Sequence, residues 1–334
     1  MTVAAPATRR SKPVRGEDLA ALGVAVLLAL IPAVLPGYVV YVLPQYMLFG
    51  ILAMSLALLW GRVGILSFGQ AAFFALGGYV LGIVMKQSWP VNPAYIGLLA
   101  AVASAALVAA GIGWFLFSAG VIDAYFVLVT LALSIIAEQI AVGQSQWTGG
   151  WNGLFVSRMA LSFGSLLEIS FDDDVPAYYA VFVLTILAYL LLRAVVRSNF
   201  GKILVGIREN EPRILSLGVD TALYKTASFA LSGAVAAFAG AIYAMHAGFV
   251  SPSLGGVLFS TEVVVWVAVA GRASLLAALL GGIAISSLSN FLSAITPQYW
   301  QLCIGIIFIA TIAYFRGGIA GSLERLFGRM RQRA

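Results

Sequence analysis

Charge is scarce in this chain. Asp, Glu, Lys and Arg make up 10% of its 334 residues and hydrophobic residues 62%, where soluble domains run at about 25% and about 45–50%. Mean hydropathy is +1.01. A soluble domain of this size could not keep so much apolar surface behind one core. A soluble enzyme, a disordered chain and a nucleic-acid-binding domain are excluded together. Cys303 is the single cysteine and His246 the single histidine. There is therefore no disulfide framework, no Cys- or His-based metal site and no Ser-His-Asp triad. His246 itself reads as a polar cap at a helix end. No Gly-x-x-x-x-Gly-Lys-Ser/Thr loop occurs, so the chain does not hydrolyse ATP. No potassium-channel type of filter repeat is present either.

What is present is a succession of apolar runs. A spanning helix needs about 20 apolar residues, and that window finds ten candidates: 19–36, 38–60, 71–86, 94–117, 121–143, 177–196, 225–246, 257–271, 275–295 and 299–315. The expected fold is an all-α polytopic membrane bundle of about ten spans. The first run is not expected to be a signal peptide, since no small-residue cleavage pattern closes it and a second span follows at once.

Lys and Arg set the orientation. With the N-terminus inside and alternating spans, 17 of the 19 basic residues fall on the cytoplasmic side and only Lys86 and Arg158 outside. The acidic cluster Glu168, Asp172, Asp173 and Asp174 also falls outside. The positive balance thus reflects topology and contact with membrane lipid, not nucleic acid. The organisation expected is a basic cytoplasmic tail at 1–18, a membrane domain at 19–320 and a second basic tail at 321–334. The domain carries an outer segment at 144–176 and a cytoplasmic loop at 197–224. Leu66-Ser67 with Ala71-Ala72-Phe73 matches Leu231-Ser232 with Ala236-Ala237-Phe238 at a constant offset. That is compatible with a two-fold internal repeat, as in many transporters, or with chance similarity of Ala/Leu/Phe-rich helices.

Polar groups inside apolar spans are functional candidates by default. Glu138, beside Gln139, and Glu262 are the acids well inside spans; each either faces a watery path or makes a helix–helix hydrogen bond. The segment Gly61–Gln70 breaks the helical pattern between spans two and three, with Ser67 and Gln70 as its polar groups. It is a cytoplasmic turn or an unwound stretch beside the pathway, the latter tolerated only inside protein or next to water. Gly77 and Gly78, followed by Tyr79, permit close helix approach. Trp147-Thr148-Gly149-Gly150-Trp151-Asn152-Gly153 requires turns at its glycines and is either pathway or interfacial anchor.

The cytoplasmic loop is the most informative piece. Gly206–Gly218 reads as a short helix with Asn210 as N-cap, Pro212 in the first turn and Gly218 as its stop. Ile214, Leu215 and Leu217 form an apolar side; Arg208, Glu209, Glu211 and Arg213 crowd its start. Such an amphipathic helix fits a groove of a soluble partner. The mixed charge argues against a helix lying on the bilayer.

At these residues the chain resembles the LivH/LivM-type permeases, membrane subunits of bacterial ATP-binding-cassette importers. Gly64-Ile65-Leu66-Ser67-Phe68-Gly69-Gln70 through Gly77-Gly78-Tyr79 is similar to their Gly-x-Leu-Ser-x-Gly stretch. Thr148-Gly149-Gly150 with Asn152-Gly153-Leu154, and Arg208-Glu209-Asn210-Glu211-Pro212-Arg213 with Ser216-Leu217-Gly218, continue the likeness. Glu262–Val269 with Gly271-Arg272 resembles a further motif, from which Ala270, Ala273, Ser274 and Ala278 depart, as does Tyr314–Gly318 near the end. Within the family the LivM branch, which includes urea and short-amide permeases, is the nearer match.

The resemblance implies a transport subunit for branched-chain amino acids or a related small solute. It implies ATP-binding cassette subunits that use ATP and Mg, a second LivH-type permease subunit and an extracytoplasmic solute-binding protein. The chain itself would bind no cofactor, have no catalytic residue, and lie in the bacterial inner membrane with both termini cytoplasmic. Coupling to the ATP-binding subunit would rest on Arg208, Glu209, Asn210, Glu211, Pro212, Arg213, Ser216 and Gly218. The pathway would draw on Ser67, Gln70, Tyr79, Glu138, Gln139, Thr148, Gly149, Gly150, Asn152 and Glu262. The competing class is an ATP-independent secondary transporter coupled through Glu138 or Glu262, which has no need of a rigid docking helix. An intramembrane enzyme lacks the necessary side chains. Reporter fusions at Asp173 and Glu209 should report opposite sides of the membrane; same-side signals would break the parity.

Overall fold

A computed structural model describes residues 15–35, 37–87, 92–121, 123–158, 161–163, 167–169, 173–314 and 318. The tails at 1–14 and 321–334, Asp172 and the Phe315–Gly317 stretch lie outside the described residues. Among the described residues twelve helices follow in order: α1 Arg15–Val34, α2 Gly37–Leu58, α3 Gln70–Met85, α4 Pro93–Ser118, α5 Asp123–Gly143, α6 Ser145–Thr148, α7 Asp174–Arg197, α8 Asn199–Ser216, α9 Thr221–Ala247, α10 Val257–Ala270, α11 Leu275–Ile295 and α12 Trp300–Tyr314. Seven are long and apolar enough to cross a membrane, and α3, α10 and α12 are shorter apolar helices. Each of the ten apolar runs read from the sequence holds one of them. At about 1.5 Å per residue the 14 residues of α10 reach only about 21 Å. The 3₁₀ turn Pro252–Gly255 precedes it. Two small ribbons interrupt the helical fold. β1 (Leu154–Phe155) pairs antiparallel with β4 (Phe249–Val250), and β2 (Leu161–Phe163) with β3 (Leu167–Ile169).

Between helices in lipid, apolar burial gives little drive, so association depends on close packing. The α3–α9 contact is built that way. A Cβ at Gly77 would fall on the Ala237 backbone, and one at Gly240 on the Phe74 backbone. The close approach expected from Gly77 is therefore present. Against α11, a Cβ on Gly282 would stand 2.6 Å from Gly50 Cα of α2. Around these contacts α2 and α9 form the buried centre. Phe49 stacks on Tyr243 and Trp266 at centroid distances of 5.6 and 5.4 Å. Leu66-Ser67 lies in a non-helical stretch whereas Leu231-Ser232 is mid-helix in α9, while Ala71–Phe73 and Ala236–Phe238 are both helical, so the two copies of the sequence match share local structure only in part.

Contacts between connecting segments sort to two ends of the bundle. At one end Asp18 of α1 pairs with Arg193 and Arg197 of α7. There too Arg62 Nη2 donates to Ala273 O at 3.3 Å, and the Arg272 guanidinium sits 5.4 Å from the Trp60 ring. At the other end Tyr178 Oη donates to Leu28 O at 2.6 Å. His246 Nε2 donates to Tyr41 O at 2.9 Å, and Arg158 Nη2 to Tyr41 Oη at 3.3 Å. His246 thus joins the last turn of α9 to α2. Ser274, at one of the departures from the family motif, caps α11, its Oγ accepting from Ala277 N.

Candidate functional site

Helix α2 does not run directly into α3. It ends in a π-turn at Leu59–Val63, closed by Gly64 N donating to Leu59 O at 3.0 Å. Gly64 has φ +92°, a left-handed conformation natural to glycine. Residues 64–69 then run without helix to α3. Backbone polar groups exposed by such a break must be satisfied within the protein. Helix α5 does this. Phe68 N donates to Thr130 Oγ1 at 3.1 Å, and Ser134 Oγ donates to Phe68 O at 2.7 Å. Ser134 Oγ also lies 2.8 Å from Ser260 Oγ of α10, so α5 holds this stretch of backbone and α10 backs α5. Ser67 is buried and its Oγ accepts from Gly69 N at 3.1 Å. Sequence reasoning found the break, Ser67 and Gln70 but missed Thr130, Ser134 and Ser260, isolated hydroxyls without a periodic signal.

Gln70 is buried at the start of α3 beside Ser55. Ser55 Oγ lies 2.7 Å from Leu52 O and 3.1 Å from Gln70 Oε1, and Ser232 Oγ donates to Ser55 O at 2.6 Å. A hydroxyl has one proton, so Ser55 serves Leu52 O. Gln70 then satisfies the pair in its flipped orientation, with its amide N–H on Ser55 Oγ. The result is a polar chain crossing α9, α2 and α3 at membrane depth.

Beside the break, a half-open cavity of about 450 Å³ runs along α3 from Ala72 to Ile83, bordered by α5 and by Val108 of α4, with Trp147 and Thr148 at one end. Its lining is almost wholly apolar. Tyr79 contributes a buried hydroxyl with no hydrogen-bond partner among the described residues. Thr148 Oγ1 lies 2.5 Å from Ala141 O of α5 and 2.8 Å from Gln144 O at the start of its own turn, tying α6 back to α5. The turns expected at the glycines follow, with Gly149 at φ +77° and Gly153 at φ +71°. Asn152, Trp147 and Trp151 are exposed, and so is Gln139 on α5. Glu138 is turned away from the cavity. Its carboxylate packs on Gly256, the N-cap of α10, which has no side-chain cap of its own. Glu262, half-buried one and a half turns into α10, is not part of the cavity lining.

The loop residues form a second cluster. Helix α8 begins earlier than Gly206, at Asn199, with Ser198 accepting from Gly201 N. It breaks at Asn210, where φ −162° and ψ 90° are extended, and resumes. Asn210 Oδ1 accepts from Arg213 N at 3.0 Å, the expected N-cap, and Gly218 at φ +81° ends the element. Arg208 donates to Gly61 O in the π-turn of α2 and pairs with Glu209 at 2.6 Å. Glu211 accepts from Thr221 Oγ1 at 2.8 Å and pairs with Lys225 of α9 at 2.6 Å. Two braces therefore hold a knuckle whose remaining side chains, Asn210, Pro212, Arg213, Leu215, Ser216 and Leu217, are exposed. Leu217 is 72% exposed.

The family described as branched-chain amino acid transport system, permease component, matches residues 38–312. The chain belongs to this family. The high-affinity branched-chain amino acid permease LivM of Escherichia coli is 26% identical over 82% of this chain and 68% of its own length. That of Salmonella typhimurium shows the same identity and coverage. LsrC, the autoinducer 2 import permease of Escherichia coli, is 25% identical over 55% of the chain and 54% of its own length. No solved structure matches. The permease is thus a multi-pass transport subunit of a bacterial ATP-binding-cassette importer of branched-chain amino acids or related solutes, not an enzyme, and works within a complex.

An anion at a helix N-terminus contributes about 0.3–2 kcal/mol. Glu138→Gln is therefore expected to lower the thermal stability of the permease by about that amount while uptake persists. Unchanged stability with uptake lost would move Glu138 into the solute path.

Proposed function

We propose that the exposed knuckle at 209–218 is the surface on which an ATP-binding subunit docks, and that its movements reach the solute path through Arg208 and Gly61. The observation that carries this is the bracing. Arg208 fixes the knuckle to the turn that begins the unwound segment, and Glu211 fixes it to α9. An element tied to two membrane helices and presenting Leu215 and Leu217 to solvent suits a groove in a soluble partner. The docking subunit would consume ATP and Mg; this chain would bind neither.

The same reading makes the bundle ten spans with both termini cytoplasmic. It is supported by the sorting of connecting segments. Asp18, Arg62, Arg193, Arg208 and Arg272 meet at one end. Tyr41, Arg158 and His246 meet at the other, as alternation requires. A solute-binding protein would deliver at the outer segment 144–176, and a LivH-type permease would complete the membrane pair. The solute path is assigned to the unwound segment and the cavity beside it, with Ser67, Gln70, Tyr79 and Thr148. The solute would be a branched-chain amino acid or another small molecule of similar size.

In the assembled importer, Arg213→Glu should lower solute-stimulated ATPase activity by about tenfold or more, as loss of an interface hot spot does, with insertion unchanged. Glu211→Lys should instead lower thermal stability, because Glu211 is an internal brace. Normal coupled ATPase activity in Arg213→Glu together with Leu217→Asp would overturn the assignment.

A further inference from the structure

Helix α1 is clasped to α7 at both ends and stands off it in the middle. At its last turns Tyr178 Oη donates to Leu28 O at 2.6 Å and Tyr179 Oη to Ala29 O at 3.3 Å. At its start Asp18 pairs with Arg193 and, at 3.1 Å, with Arg197. Between the clasps lies a groove of about 300 Å³. Val24, Ala25 and Leu28 of α1 form one wall, Phe182 and Ile186 of α7 the other, and Leu279 of α11 its floor. Thr185, the one hydroxyl in the lining outside the rim, is already bonded to Val181 O at 2.8 Å. The body of the groove therefore offers no polar recognition and takes only an apolar chain.

Its rim is charged. Arg193 lies over the Tyr189 ring at 5.6 Å with its guanidinium at the groove mouth, and Arg197 is nearly half exposed one turn beyond. Asp18 is shared by both. Glu17 is close enough for its charge to be felt at Arg193 and at Arg62. Arg193 and Arg197 thus share the single carboxylate of Asp18, while Glu17 and Arg62 stand near with opposite charges, leaving one positive charge uncompensated where an apolar groove opens.

We propose that this groove holds an acyl chain of an anionic phospholipid, its phosphate on the Arg193–Arg197 rim. The charge excess favours an anionic over a zwitterionic headgroup, since each Arg near a membrane surface contributes on the scale recognised for basic pockets between spans. The groove is continuous with the lipid-facing side of α1, whose Leu22 and Val26 are exposed. Placing it in the cytoplasmic leaflet rests on the orientation proposed above; lipid retention itself does not depend on sidedness, so the fusion assay and the lipid assay can fail separately.

The test uses the full permease extracted from vesicles holding equal amounts of phosphatidylglycerol and phosphatidylcholine with matched chains, with retained lipid counted by native mass spectrometry. Wild type should retain phosphatidylglycerol about fivefold over phosphatidylcholine, the preference expected of one uncompensated charge. Arg197→Gln should remove the preference. Ala25→Phe should fill the groove and lower retention of both lipids. Asp18→Asn, which frees a guanidinium, should raise phosphatidylglycerol retention, whereas a merely structural ion pair would give no gain. Each variant is compared only after its circular dichroism and assembly match wild type. Equal retention of the two lipids by wild type, or a preference unchanged in Arg197→Gln, overturns the proposal.

Discussion

The carbonyls and amides laid bare where α2 gives way to α3 are the constraint on which the rest depends. In hydrocarbon an unpaired backbone group costs several kcal/mol, so a break at membrane depth persists only if neighbours supply every partner. Here they come from far along the chain. Thr130 and Ser134 of α5 hold Phe68, Ser260 of α10 backs Ser134, and Arg208 of α8 takes the Gly61 carbonyl. The break is thus where α5, α10 and α8 are joined to the centre of the bundle.

That junction gives the coupling proposal its physical content. A displacement of α8 acts on Gly61 through a charge-assisted hydrogen bond, and Gly64 leaves no room for slack, since a Cβ there would stand 2.8 Å from Arg208 Cγ. Arg62 and Gly61 also meet the 272–273 turn before α11. Motion of the knuckle can therefore reach the unwound segment and the α10–α11 hairpin together. The glycine contacts of α3 with α9, and of α2 with α11, keep those pairs from sliding independently.

Hydropathy made the helices legible because lipid imposes length and apolarity on every span. The cap at Asn210 and the stop at Gly218 were equally legible, being local chemistry. The start of α8 at Asn199 is less legible, because the apolar run of α7 leads straight into it, although Gly201, Leu204 and Ile207 bury one face at helical spacing. The four strands are two or three residues long, too short for alternation to show. At the candidate site, glycines and lone acids stand out in an apolar sequence, while hydroxyls such as Thr130 and Ser260 do not. Their role exists only through contacts 62 or more residues away. Glu138 was visible as a buried acid, but which helix it faces, α10 at Gly256, is a property of the fold.

The claim that the knuckle carries the contact with the ATP-binding subunit is tested most directly by a photoreactive residue at Leu217 in the assembled importer. The account predicts a covalent adduct with the ATP-binding subunit, diminished when nucleotide is changed. Adducts confined to lipid, or to the permease itself, would contradict it.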